Sequence, residues 1–186
     1  ADVNAARAND NVTALWLAVL HGRVSLVRLL LDSGARSDVV QSGSGVTPLF
    51  SAARRGYVDI VRMLLQQPET DVNAATADES TPLHAAAQAG SVPIIDLLLD
   101  AGCAVVARKH NITPLFDAAA HGHNDAVRAL VRRTPQHVAE RRATDGTTPL
   151  VVAAMRAGVD AVRVLVEQGK ADVDVVRHDG SSALYW

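Results

Sequence analysis

The stretch Thr81-Pro82-Leu83-His84-Ala85-Ala86-Ala87-Gln88-Ala89-Gly90 runs on into Pro93-Ile94-Ile95-Asp96-Leu97-Leu98-Leu99-Asp100-Ala101-Gly102. Close copies of its opening recur as Thr47-Pro48-Leu49-Phe50, Thr113-Pro114-Leu115-Phe116 and Thr148-Pro149-Leu150-Val151. Looser ones are Thr13-Ala14-Leu15-Trp16 and Ser182-Ala183-Leu184-Tyr185. The starts lie 34, 34, 32, 35 and 34 residues apart. Self-similarity at a fixed period of this length is the signature of a solenoid. Each unit buries its apolar face against its neighbours, with no shared central core.

Each unit carries the punctuation of a helix pair. Thr13, Thr47, Thr81, Thr113 and Thr148 stand where an N-cap hydroxyl can accept from a first-turn N–H. Pro48, Pro82, Pro114 and Pro149 follow at the first helical position, where a missing N–H is harmless. Leu comes next in all six copies. Gly22, Gly56, Gly90 and Gly122 close the first helix; the fifth copy has Ala157 in that slot and Gly158 one place later, which predicts a locally altered turn. A second helix then opens at Ser25, Asp59, Pro93, Asp125 and Asp160. Its apolar stripe reads Leu26, Val27, Leu30, Leu31, then Ile60, Val61, Leu64, Leu65, then Ile94, Ile95, Leu98, Leu99. It softens to Ala126, Val127, Leu130, Val131 and to Ala161, Val162, Leu165, Val166, so the fourth and fifth units are expected to be less stable than the third.

The Thr-Pro-Leu-His-x-Ala pattern at 81–86, with its period near 33, resembles the ankyrin repeat, and the resemblance covers nearly the whole chain. It implies an all-α solenoid of stacked helix–turn–helix pairs with projecting β-hairpin turns. On that reading residues 1–186 form one domain. Residues 1–12 are the tail of a preceding repeat, repeats begin near 13, 47, 81, 113 and 148, and 182–186 open a partial one. Both ends are expected to have been cut from a longer array or a multidomain protein, with the fragment itself monomeric.

Composition sets further bounds. Hydrophobic residues make up 48% but aromatics only 3%, so the apolar mass is Ala, Val and Leu, suited to thin, closely packed helices. A net charge of −2 with no clustered basic face argues against nucleic acid. No apolar run reaches the roughly 18 residues of a membrane span, and no signal-peptide pattern opens the chain. Cys103 is the only cysteine, which excludes an intrachain disulfide and fits a reducing compartment; a cytoplasmic or nuclear location is expected.

No catalytic constellation stands out, and no cofactor or metal is expected. His121-Gly122-His123 spans a turn and supplies too few ligands for zinc. Cys103 has no evident partner and reads as an incidental thiol. Gly43-Ser44-Gly45 is too short for a phosphate loop and stands at a hairpin tip. Trp16, Phe50, His84, Phe116, Val151 and Tyr185 share one column, read as inter-repeat packing. Ankyrin repeats usually have His here, bonded to the neighbouring turn. Only His84 keeps it, so the other junctions are expected to rely on packing. Arg132-Arg133 and Arg141-Arg142 read as locally paired or solvated.

The resemblance places function on the concave face, made of hairpin tips and the exposed side of each first helix. By register the hairpin positions are Asp10 and Val12, Ser44 and Val46, Asp78 and Ser80, His110 and Ile112, and Asp145 and Thr147. The helix positions are Leu20 and His21, Arg54 and Arg55, Gln88 and Ala89, Ala120 and His121, and Met155 and Arg156. Arg and Met are enriched in interface cores. The expected function is non-catalytic binding of a protein or peptide across this strip. The alternatives are a targeting or autoregulatory segment of a larger enzyme (a ubiquitin ligase, kinase or acyltransferase) and an array hydroxylated at Asn4 or Asn73.

Overall fold

The computed structural model describes residues 2–186. Among the described residues ten α-helices form five pairs: α1 (Ala14–Leu20) with α2 (Val24–Asp32), α3 (Pro48–Arg55) with α4 (Val58–Leu65), and α5 (Pro82–Ala89) with α6 (Val92–Asp100). The series ends with α7 (Pro114–Ala120) paired to α8 (Asn124–Arg133) and α9 (Pro149–Met155) paired to α10 (Val159–Glu167). First helices stack on first helices and second on second along the chain. The pattern is the all-α solenoid that the period implied.

The caps form as the sequence dictates. The hydroxyls of Thr13, Thr47, Thr113 and Thr148 accept from the backbone N–H groups of Trp16, Phe50, Phe116 and Val151 at 3.1–3.3 Å. Each Thr has extended backbone, and the prolines sit at the helix starts. Leu15, Leu49, Leu83, Leu115 and Leu150 are all buried and make the spine of the core, whereas Leu184 is exposed. Ser25, Asp59, Pro93, Asp125 and Asp160 lie at the second helical position, so they act as first-turn residues and not as caps.

The turn at Ala157 corrects the expectation of altered geometry. Ala157 adopts φ +53°, the left-handed conformation taken by Gly22, Gly56, Gly90 and Gly122. The bonds Ala157 N–H to Ala154 O (2.8 Å) and Gly158 N–H to Ala153 O (3.0 Å) reproduce Gly90 to Ala87 and Ser91 to Ala86. Stacking of α9 and α10 on the preceding pair dictates the turn, and the alanine accepts its strain.

The stripe on α2 also differs from the expectation. Val27 is fully buried, but Leu26 and Leu29 are 45% and 61% exposed. Their register equivalents Ile60 and Met63, Ile94, Ala126 and Ala129, and Ala161 and Val164 are buried, because the preceding second helix lies against them. The projecting turns are closed by paired backbone bonds, such as Gln41 N–H to Val46 O (3.0 Å) with Gly45 N–H to Gln41 O (3.1 Å), and Arg142 N–H to Thr147 O (2.8 Å) with Gly146 N–H to Arg142 O (2.9 Å). Isolated bridges at Ala6–Thr13, Arg108–Ile112 and Val176–Ser182 are their only β pairing among the described residues.

Candidate functional site

The strip that the resemblance designates is assembled by two registers. Helix ends α1, α3, α5, α7 and α9 present their last turn, and each hairpin tip projects beside the next one. Neighbouring tips are tied by backbone bonds from Ser42 to Asp10, Ala77 to Ser44, Ala143 to His110 and His178 to Asp145, at 2.7–3.0 Å. These bonds tie the first three tips to one another and the last three to one another; at the junction between the third and fourth the Lys109 ammonium donates to the Ala77 carbonyl at 3.1 Å instead.

The column behind the strip links the repeats by more than packing. Trp16, Phe50, His84, Phe116 and Val151 are all buried; Tyr185 is exposed. His84 Nε2 lies 3.0 Å from the carbonyl oxygen of Ile112. A carbonyl only accepts, so Nε2 carries the proton and Nδ1 accepts from Thr81 N–H (3.2 Å) and Oγ1 (2.9 Å). Burial pushes the His84 pKa down, against the raising effect of that carbonyl and of Asp117. Contrary to the expectation of packing alone elsewhere, the Trp16 indole N–H donates to the Val46 carbonyl at 3.4 Å. Ile112 and Val46 hold the same register, so the indole does at the first junction what the imidazole does at the third. Arg142, on the next hairpin, lies over the Phe116 ring at 5.4 Å.

Many charged positions in the strip are engaged within the chain. Asp10 pairs with Arg7. Asp78 accepts from Thr76 (2.5 Å) and Ser80 (2.9 Å), which hold its carboxyl below the usual range. Gln88 donates to Asp117, a buried carboxylate paired with Arg108 at 2.9 Å. Asp145 is bound by Arg142 and Arg177, with Thr147 adding backbone and hydroxyl contacts, and its carboxyl is held far below the ordinary value. Val12, Ser80 and Thr147 are buried, so at those positions the hairpin edge meets solvent and the side chain does not.

The remaining strip positions face solvent. Leu20, Ser44, Val46 and Ile112 are half-buried; His21, His110, His121, Met155 and Arg156 are exposed. Arg54 and Arg55, consecutive at the end of α3, are exposed and have neither an ion pair nor a hydrogen-bond acceptor among the described residues. A cleft of about 420 Å³ opens beside them, between the first and second repeats. It brings together Leu20, Val46, Arg54 and Arg55 from the predicted strip and adds Trp16, Gln41, Phe50 and Ser51. Trp16 and Phe50, read from the sequence as packing residues, also line this cleft.

His121 and His123 stack with rings 6.1 Å apart, but His121 Nδ1 bonds Asp117 O and His123 Nε2 bonds Gln88 O, both at 2.8 Å. Among the described residues no group of three or more His, Cys, Asp or Glu is arranged to hold a metal. Asn4 and Asn73 use their side-chain oxygens to accept from Arg36 N–H (2.8 Å) and Ala104 N–H (2.7 Å) across to the next repeat. No helix is long and apolar enough to cross a membrane among the described residues.

A family model described as ankyrin repeats (3 copies) matches residues 1–76 and again 67–141, and a single ankyrin-repeat model matches residues 145–178. No curated protein matches the chain.

Proposed function

The chain belongs to the ankyrin-repeat family, whose members are generally protein–protein interaction modules, and on that premise we propose that it binds a protein or peptide segment on its concave strip. The observation that supports this most directly is the pair Arg54–Arg55, left without intramolecular acceptors beside an apolar cleft. Two guanidinium groups held together on a rigid helix end are ready for charge-assisted bonds to a partner. Met155 and Arg156 repeat the combination of flexible apolar and cationic side chains at the far end of the strip. No reaction is assigned to this surface.

The test is partner capture from native lysate with the wild-type chain and with a variant carrying Arg54→Glu, Arg55→Glu and Met155→Ala. All three side chains are exposed, so helicity is expected to be unchanged. Partners lost only with the variant support the concave strip. Partners retained equally by both move the site to the convex helices and overturn the proposal.

A further inference from the structure

Within that strip, and resting on the concave-face reading, we infer that the cleft between the first and second repeats takes an extended acidic peptide carrying one apolar anchor side chain. The floor of the cleft is apolar: Leu20 and Val46 are half-buried, and the edges of Trp16 and Phe50 are 7% and 6% exposed. The Trp16 indole N–H is spent on the Val46 carbonyl, so the floor offers no free donor from that ring. A ligand there is apolar where it meets Leu20, Val46 and the two rings, and Ser51 adds a hydroxyl to the lining.

The rim has the opposite character. Arg54 and Arg55 stand at its edge, whereas Arg7, Arg36, Arg108, Arg133, Arg142 and Arg177 are all paired with carboxylates elsewhere in the chain. The carboxylates of the neighbouring tips, Asp10 and Asp78, already accept from Arg7 and from Thr76 and Ser80. Gln41 accepts from Ser44 Oγ at 3.0 Å, and its amide N–H groups have no acceptor among the described residues. Gln41 lines the cleft, where a peptide carbonyl is a natural partner for them.

Size and charge narrow the occupant. A space of about 420 Å³ admits a side chain and its flanking backbone, not a folded surface. Two adjacent arginines match one or two carboxylates. A nucleic-acid backbone needs a continuous basic track, and Asp10, Asp78 and Asp145 interrupt the strip along its length. The occupant is therefore a Glu- or Asp-bearing segment with a Leu-, Met- or Phe-like residue between the charges.

The test is selection from a random displayed-peptide library on the immobilised chain, followed by fluorescence anisotropy on the enriched peptides. Three proteins are compared: wild type, Arg54→Gln with Arg55→Gln, and Met155→Ala with Arg156→Gln. Expected are peptides with acidic residues flanking an apolar one. Their affinity should fall roughly thirtyfold or more in the Arg54/Arg55 variant, stay within about twofold in the other, and weaken with added salt. Neutral or basic peptides, or acidic ones indifferent to Arg54 and Arg55, overturn the inference. If such peptides are instead lost with the Met155/Arg156 variant, the concave-face reading survives and only the cleft falls. If both variants bind as wild type does, both readings fall. If no peptide is enriched while lysate partners are lost with the triple variant, the strip recognises a folded surface and the acidic-peptide inference is wrong.

Discussion

His84 Nε2 donates to the Ile112 carbonyl across 3.0 Å, joining the buried column of one repeat to the hairpin of the next. The imidazole must be neutral to serve both ends, because Nδ1 accepts from Thr81. Burial lowers its pKa from 6.5, so the folded state binds that proton less readily than the unfolded chain. The stability this contributes is complete above the unfolded value and is lost as pH falls from 6.5 through the lower, folded value. Urea midpoints should therefore decline between pH 7.5 and 5, and His84→Leu should flatten that slope. The variant should also cost about 2 kcal/mol at pH 7.5, since it leaves the Ile112 carbonyl and the Thr81 N–H without partners. An unchanged slope in the variant would assign the pH dependence to other groups.

Cys103 presents a second chemical test. Burial pushes its thiol up to about 11, and Arg133 offsets that only in part. The thiolate is the reactive species, so the native protein at pH 8 should react with a disulfide reagent at least about tenfold more slowly than a free thiol. Unfolding in urea should restore the ordinary rate. A native rate equal to that of free thiol would mean that the C-terminal end of α6 opens readily.

Most of the fold was legible because its signals are local. Thr–Pro–Leu fixes a cap, a first-turn φ and a buried spine residue within three positions, and the period repeats the reading down the chain. What escaped depended on contacts about 30 residues apart. The Trp16 bond to Val46 is one such case, since an indole carries no motif that announces its acceptor. The glycine rule is another. Gly22 and Gly90 are needed for space as well as for φ: a Cβ would lie 2.8 Å from the Tyr57 ring and 2.6 Å from that of His123. Gly56 and Gly122 meet nothing there, opposite the small residues Ser91 and Gly158. In the strip, Leu20, Val46, Arg54 and Arg55, chosen by register, line one cleft. Register did not reveal the burial of Val12, Ser80 and Thr147, which close their turns through backbone carbonyls that accept from Arg7, Thr76 and Arg142 several residues earlier.

The second-helix stripe predicts a gradient of local stability. α6 fully buries Ile94, Ile95 and Leu98, with Leu99 partly buried; α10 buries Ala161 and Leu165, with Val162 and Val166 only partly covered. The two Ile and one Leu replaced by Ala, Val and Val remove five carbons. At about 0.8 kcal/mol per buried CH₂ the difference is at most about 4 kcal/mol. Repeat arrays open unit by unit, so the deficit is read locally. Native-state hydrogen exchange should give α9 and α10 amides lower opening energies than those of α5 and α6. Equal protection in the two pairs would refute the gradient.

Ala157 supplies the sharpest test of how the array dictates its turns. It holds φ +53° where the other four repeats use glycine, and its backbone bonds repeat theirs. A Cβ in the left-handed region costs roughly 1–2 kcal/mol, offset in Ala157→Gly by the extra freedom that glycine has in the unfolded chain. The net expectation for Ala157→Gly is stabilisation by about 0.5–1 kcal/mol, with hydrogen exchange slowed in α9 and α10. The reciprocal change, Gly90→Ala, meets both the positive φ and the His123 ring 2.6 Å from the added Cβ. It also displaces a ring whose Nε2 bonds the Gln88 carbonyl. It should therefore destabilise by more than the Ala157 change stabilises, about 2 kcal/mol or more. Gly56→Ala, with nothing near its added Cβ, separates the two causes: it should cost only the φ strain. If Gly56→Ala and Gly90→Ala cost the same, the ring contact contributes nothing. If Ala157→Gly destabilises, the left-handed turn in the fifth repeat is not strained.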